Sequence, residues 1–262
     1  MTLPVFFDPQ LNASVGEQLR LTGDEGRHAV AVRRIRVGEQ IDIIDGVGQR
    51  ATVSVAALGK NELSAEVLAV VHEPAPKVPT LLVQALAKGG RDEQAVETAT
   101  EFGVTKICPW ESQRAVVSWK QPQKAEKGIA KWQAVALAGA KQARRSWVPE
   151  VQACLDSKGL TRKITELIAA GWQVYVCHEQ EAQHFTKYLQ AQRDAWSAGE
   201  FPAGVAFIVG PEGGITDDEV QSFVSAGAQA VLLGEHVMRS ATAGPWAIAV
   251  LSAAVREFLK TA

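Results

Sequence analysis

Residues 207–216 read FIVGPEGGIT. Phe207, Ile208 and Val209 have the apolar run of a buried strand end. The chain then passes into Gly210, Pro211, Glu212, Gly213 and Gly214, a stretch made almost entirely of main chain. Thr216 and Glu219 follow with the spacing of a capping box, so a helix is expected over Asp217 to Ala226, stopped by Gly227. A strand that turns through bare backbone into a helix N-terminus belongs to an α/β sheet, where ligands bind beyond the carboxyl ends of the strands. Glycines there let a ligand approach the main chain and let N–H groups point at it. The loop is neither G-x-x-x-x-G-K-[ST] nor G-x-G-x-x-G, which sets aside a P-loop and a dinucleotide fingerprint. Glu212 would repel a phosphate. A loop of backbone groups and one carboxylate suits a ligand with few negative charges, such as an adenosine carrying a cationic centre.

A second loop of this kind follows one helix and one strand later, in VLLGEHVMRSATAGP at residues 231–245. Leu232, Leu233 and Gly234 end an expected strand, and Arg239, Ser240 and Thr242 precede the last helix, which carries Ile248, Leu251, Val255, Phe258 and Leu259 at helical spacing. Two such loops on consecutive strands make opposite walls of one pocket.

Upstream, the rhythm from residue 80 onward alternates strand and helix: strands at 81–86, 106–110, 173–177, 205–209 and 228–233, and helices at 92–102, 124–144, 161–170 and 217–226. That alternation implies a mostly parallel α/β sheet. The first 72 residues read differently. QIDIID at 40–45, Ala51 to Val55, and ELSAEVLAVV at 62–71 alternate with period two, with turns at Asp45-Gly46 and Gly59-Lys60-Asn61 and one short helix near Asp24 to Arg34. In the last of these runs Leu63, Ala65, Val67, Ala69 and Val71 fall on one face, which predicts a small barrel or sandwich. Between the two regions, HEPAPKVPT places three prolines in nine residues, a linker and domain boundary.

Bulk properties agree with a globular chain: 262 residues, 47% hydrophobic and 21% charged. MTLPVFFDPQ lacks a basic n-region, which argues against a secretory signal, and three widely spaced cysteines suit a reducing cytoplasm better than a disulfide framework. Charge is unevenly spread. Residues 1–76 carry 7 Lys+Arg and 10 Asp+Glu, residues 77–163 carry 15 and 8, and residues 164–262 carry 5 and 11. A basic middle between acidic ends is the footprint expected for a polyanion, or else a solvated helix face.

Together, HAVAVRRIRVGEQIDIIDG (28–46), AKGGRDEQAVETATEFGV (87–104), KQARRSWVPEV (141–151), IVGPEGGIT (208–216) and LLGEHVMRSATAG (232–244) resemble the RsmE family of ribosomal RNA uridine N3-methyltransferases of the SPOUT superfamily, over nearly the whole chain. The resemblance implies a PUA-like β-barrel at 1–72 that helps bind RNA, a linker at 73–79, and a SPOUT α/β domain at 80–262 tied in a deep trefoil knot, which general topology rules would forbid. It further implies a cytoplasmic homodimer, S-adenosyl-L-methionine as cofactor and 16S rRNA as partner, with no metal and no membrane. On this resemblance the backbone of Gly210, Pro211, Glu212 and Gly213 makes room for the adenosine. Leu232, Leu233, Gly234, Met238, Arg239, Thr242 and Ala243 face it, and Val176 and His178 close the pocket. The chain departs from the family at Ala241, where an acidic residue is frequent, at Lys141 and at Pro245-Trp246.

Arginine stays protonated and is a poor base, so Arg239 is cast as a fork of donors for charge growing on the uracil carbonyls. The proton acceptor stays open between water, an unidentified group and His178. For RNA, Arg33, Arg34 and Arg36 cluster after the first helix, and Arg144 and Arg145 close the basic middle, with Arg145 at the family-matched position. Lys124, Lys127 and Lys131 share a helix face. Trp110 and Trp147 suit either base stacking or core packing. The alternatives are a SPOUT methyltransferase for another RNA and a catalytically impaired RNA-binding or ribosome-assembly protein, for which Ala241 is the motive.

Overall fold

The computed structural model describes residues 2–179 and 183–260. The chain divides into two compact units, one running to Ala75 and including Ala140–Val148, the other comprising Pro76–Gly139 and the chain from Pro149 onward.

The first unit is built on a five-stranded sheet of β1 (Val5–Phe7), β2 (Gln18–Leu21), β3 (Gln40–Ile44), β4 (Gln49–Leu58) and β5 (Leu63–His72), in the order β1-β3-β4-β5-β2. β1 lies parallel to β3 and the other pairs are antiparallel. The expected barrel is not closed by a strand ladder, since β1 and β2 pair with β3 and β5 and not with each other. Alternation explains the core: Val53, Val55, Leu63, Ala65 and Val67 are buried with Phe6, Ile41 and Ile43, while Ser64 and Glu66 between them are not. The single face read from Leu63 to Val71 does not hold to its end. Val67 pairs with Val53 but Ala69 with Thr52, so Leu68 is an extra residue in the ladder. Such a bulge flips the faces beyond it: Val70 packs on the core and Val71 is exposed. Between β2 and β3, α1 (Gly23–Arg27) runs into a single π turn, His28–Val32, which buries Ala29 in the same core.

Residues 140–148 complete this unit. Ser146 is fully buried, and its hydroxyl donates to Glu73 Oε1 at 2.7 Å, while Trp147 Nε1 donates to the Glu73 carbonyl at 3.1 Å. Arg50 reaches Glu73 at 2.9 Å and Asp42 at 3.0 Å, and donates to the Arg144 carbonyl at 2.7 Å. Burial pushes the Glu73 carboxyl up, but the bonds from Ser146 and Arg50 outweigh it and leave the group below 4.5.

In the second unit, β6 (Thr80–Ala85), α2 (Arg91–Glu101), β7 (Lys106–Glu111), α3 (Pro122–Gln142), β8 (Glu150–Val151), β9 (Leu155–Asp156), α4 (Ser157–Ala169), β10 (Trp172–Cys177), α5 (Phe185–Ser197), β11 (Gly204–Val209), α6 (Asp217–Ser225), β12 (Gln229–Val231) and α7 (Ser240–Lys260) follow in order. The last residues of α3 belong to the first unit. All sheet pairs are parallel, in the order β12-β10-β11-β6-β7-β8, with β9 also on β7. Both faces are covered, as a parallel sheet requires. Leu82, Tyr175, Val205, Phe207 and Val209 meet α2, α3, α5 and α7 through Val96, Trp132, Phe185, Trp196, Ile248 and Leu251. Leu81, Val83, Val174, Val176, Ala206 and Ile208 meet α4 and α6 through Leu160, Ile164 and Phe223. Trp110 is wholly buried on this second face, its Nε1 donating to Ser157 Oγ at 3.2 Å. Helix α5 escapes the sequence reading because its buried Phe185, Leu189 and Trp196 are spaced among polar residues. Among the described residues no helix is long and apolar enough to cross a membrane.

Replacing Glu73 by alanine strips Ser146 of its acceptor, so the variant should lose about 1–3 kcal/mol of stability near neutral pH. A carboxyl lowered on folding adds stability above its unfolded value, and that increment disappears as pH falls through the folded value. Chemical denaturation should therefore show the wild-type advantage shrinking below pH 4.5. An advantage unchanged down to strong acid would contradict the assignment.

Candidate active site

The strand order fixes where the loops meet. β11 lies between β10 and β6, and β12 lies outside β10, so the chain changes its direction of growth across the sheet at this point. Crevices at such switch points bind ligands. The segments after β10, β11 and β12 wall a cavity of about 720 Å³, within the ~300–1,000 Å³ usual for small-molecule sites.

The glycine loop is shaped by its own packing. A Cβ on Gly210 would lie 2.6 Å from Ile215 Cγ1, so only glycine lets the buried Ile215 fold back beneath the turn. A Cβ on Gly213 would lie 3.2 Å from Arg114 Cβ, and Gly214 has φ +75 with Arg114 Nη1 above it. Part of the space expected for an adenosine is thus filled by the protein itself. The Glu212 carboxylate is also engaged. It pairs with Arg91 Nη1 at 2.8 Å, and although its burial acts the other way, hydrogen bonds and Arg91 hold it below its ordinary value. It is therefore not a free counter-charge for a cationic ligand. Arg91 is presented by Gly89 and Gly90, both at positive φ, and by buried Asp92, whose Oδ2 accepts the Ala87 N–H at 3.2 Å.

Behind the loop stands Glu219, 2% exposed. Its Oε1 accepts from Gln113 N at 2.8 Å and from Ser157 Oγ at 2.6 Å, and its Oε2 accepts from Thr216 N at 3.1 Å. Thr216 Oγ1 accepts in return from Glu219 N at 3.3 Å, so the capping box read from the sequence is present and extended.

Of the residues expected at the cofactor, His178, Gly210, Pro211, Glu212, Gly213, Leu232, Leu233, Gly234, Met238, Arg239 and Ala243 line the cavity. Val176 does not: alternation along β10 turns it into the core against α4 and α6, and Cys177 takes its place. Burial pushes the Cys177 thiol up to about 12, which makes it a wall and not a nucleophile. Thr242 does not line the cavity either; it is exposed and its hydroxyl donates to the Arg239 carbonyl at 3.1 Å. The sequence reading missed Arg91, Arg114, Glu179, Asp217, His236, Val237 and Ser240. Arg91 was visible as the residue after Gly89-Gly90, but nothing local points Arg114 toward Gly213. Two polar atoms on the lining are buried with no partner among the described residues, His178 Nδ1 and Ser240 Oγ. Native proteins rarely leave such atoms unpaired, so they mark where a polar ligand would bond.

The arginines expected to bind RNA all fall in the first unit, whereas Lys124, Lys127 and Lys131 lie in the second, where Lys131 pairs with Glu93. Arg33, Arg34, Arg36 and Arg144 are exposed, and Arg34 and Arg144 hold φ of 54 and 55, a left-handed backbone costing ~1–2 kcal/mol for a side-chain-bearing residue. Arg145 is half-buried, and burial pulls its guanidinium down to about 10, against the attraction of Glu73.

This arrangement defines a class. Residues 73–252 match the family model of the RNA methyltransferase domain, and residues 21–68 that of the RNA methyltransferase PUA domain, so the cavity sits in a parallel-sheet methyltransferase unit of SPOUT type. Within that class the chain belongs to the ribosomal RNA small subunit methyltransferase E family. The protein of that name from Mycobacterium tuberculosis is 40% identical over 226 residues, covering 86% of this chain and 82% of the relative. The Neisseria gonorrhoeae protein of the same name, solved bound to S-adenosyl methionine, superposes with a TM-score of 0.79 at 29% identity, covering 96% of this chain and 98% of that one. A Legionella pneumophila methyltransferase solved with the same cofactor gives a TM-score of 0.83 at 25% identity, covering 97% and 98%.

Removing the Glu219 side chain strands the Ser157 hydroxyl and the Gln113 N–H and uncaps α6. Glu219→Ala should lose at least ~2 kcal/mol in denaturant unfolding, and Glu219→Gln distinctly less. Equal stability of the alanine variant and the wild type would deny Glu219 its anchoring role.

Proposed function

We propose that the protein is a cytoplasmic enzyme that methylates N3 of one uridine in 16S rRNA, using S-adenosyl-L-methionine. The observation that carries this reading is the pairing of the two loops read from the sequence, GPEGG and LGEHVMRSATAG, as walls of one cavity whose lining holds polar atoms with no partner among the described residues. Relatives that carry the small-subunit rRNA methyltransferase name support the substrate, and the resemblance of the two loops supports the N3 position.

The residues present suit that cofactor. Its amino, carboxylate and hydroxyl groups would give His178 Nδ1 and Ser240 Oγ partners that no described residue supplies, and Leu232, Leu233 and Met238 offer apolar walls for the adenine. Bound S-adenosylmethionine supplies a methyl group already activated by its sulfonium, whose C–S electrons return to sulfur on transfer. The rest falls to the chain. The N3–H bond of the uracil breaks, its electrons forming the new N–C bond and its proton passing to a base at the site, water or a side chain such as His178. Negative charge gathers on the carbonyl oxygens as that proton leaves. Arg239 lines the cavity and is exposed; its planar fork of donors is cast to stabilise those oxygens. The Arg91–Glu212 pair keeps the carboxylate of the glycine loop from repelling the developing anion. Fixing the acceptor against the methyl donor can itself lower the barrier by up to ~7–11 kcal/mol.

The same reading includes the deep trefoil knot and the homodimer. α7, which packs on α2, α5, β6 and β11, is the element whose threading under the two loops would tie the knot. Its close approach at Gly244, where a Cβ would lie 2.6 Å from Leu82 Cδ1, supports a tight passage. The exposed Arg33, Arg34, Arg36 and Arg144 of the first unit are assigned to RNA phosphates, and Arg145 to holding that surface.

Titration calorimetry should show S-adenosylmethionine binding, and light scattering a mass of twice 28.1 kDa. Arg239→Ala should lower turnover by about 10²–10³-fold while changing cofactor affinity little. In a deletion strain, mass mapping of 16S rRNA should lose its N3-methyluridine; an unchanged signal would reject the substrate, and unchanged turnover would remove Arg239 from the chemistry.

A further inference from the structure

Arg114 has no part in the mechanism above, yet it lines the cavity and is tied to the glycine loop. It stands in the segment after β7, and its Nη1 donates to the Gly213 carbonyl at 3.1 Å. The loop beneath it lacks side chains where it lies: a Cβ on Gly213 would be 3.2 Å from Arg114 Cβ, and one on Gly214 3.6 Å from Nη1. The preceding residue is fixed as well, since Gln113 N donates to buried Glu219 at 2.8 Å. One of the five guanidinium N–H groups is thus used and the others remain. Arg114 is exposed, and among the described residues it forms no ion pair, unlike Arg91, whose charge is taken by Glu212. Glu179 and Asp217 also line the cavity, but neither pairs with it. Arg239, likewise without an ion pair among the described residues, lines the same cavity.

A fork of donors with no ion pair among the described residues, tied at one N–H to the loop beneath it, loses less freedom than a free side chain when it binds a planar or tetrahedral anion. A nucleotide delivered into the cavity from a polynucleotide brings its flanking phosphodiesters to the mouth, because the base must enter while the backbone stays outside. We propose that Arg114 grips a phosphodiester of the RNA strand next to the target nucleotide. This rests on the methyltransferase reading and extends it from the cofactor to the path of the substrate backbone. Arg91 is spent on Glu212, so Arg114 is the fork that meets the strand on the glycine-loop side of the mouth.

Two substitutions separate charge from hydrogen bonding. Arg114→Gln removes the charge while keeping a shorter amide donor, and Arg114→Lys keeps the charge and much of the reach. Affinity for a small-subunit rRNA fragment, measured by anisotropy over a range of salt, should fall for Arg114→Gln, and its dependence on log salt should become shallower by about one ion. Arg114→Lys should keep the wild-type slope, and calorimetry should find S-adenosylmethionine affinity within about threefold of wild type for both. Circular dichroism checks that each variant is folded. A Gln variant with the wild-type salt slope but weakened cofactor binding would overturn the proposal and leave Arg114 as a brace of the glycine loop. A wild-type protein that binds no cofactor and methylates no RNA would instead overturn the activity reading beneath it.

Discussion

The buried carboxylate of Glu219 is the constraint from which the site is built. A charge 2% exposed is costly unless its lone pairs are used, and here they are shared between Gln113, Ser157 and Thr216. Those three residues belong to the segment after β7, the start of α4 and the start of α6. One side chain therefore sets the positions of three segments that strand pairing alone leaves free. The glycine loop ends at Thr216 and is touched at Gly213 by Arg114, the neighbour of Gln113, so its second half is held through this one group. A loop fixed in this way presents its main chain to a ligand with little reorganisation left to make.

The glycines of the loop have more than one cause. Read alone, a run of glycine suggests room for a ligand. In the folded chain the missing side chains at Gly210 and Gly213 are required by Ile215 and Arg114. The conformational freedom glycine normally carries is thereby removed by neighbours on the inner side, and the outer side remains for the cavity. Glu212 follows the same logic. A carboxylate in such a loop invites a reading in terms of the ligand, but its partner is Arg91, delivered from a different strand end by another pair of glycines.

Much of this was legible in the sequence where the signal was local. The capping box of Thr216 and Glu219, the alternation from Val53 to Val67, the strands at β6, β7, β10 and β11, and the pairing of two side-chain-poor loops all rest on residues close in the chain. Signals that needed the third dimension were lost. Val176 and Cys177 are adjacent, and only the register of β10 in a sheet covered on both faces decides which of them meets the cavity. The bulge at Leu68 turned Val71 outward although the alternation continued through it. Arg114 and Gly213 are 99 residues apart. Arg145 reads as a surface cation in a basic stretch, and its burial follows from residues 140–148 folding with the first unit, which no composition shift announces.

That last feature bears on how the protein comes into being. The amino-terminal unit is finished by Ser146 and Trp147, whose hydroxyl and indole nitrogen both close on Glu73. During synthesis, Glu73 leaves the ribosome well before its two partners have been made, and β6, α2, β7 and α3 emerge in between. Domains emerging first usually fold first, but this one must wait for a late insert before its last buried polar groups are satisfied. The nascent sheet is therefore incomplete while β6, α2, β7 and α3 are being translated, and a polypeptide cut at the proline-rich stretch would remain in that unfinished form.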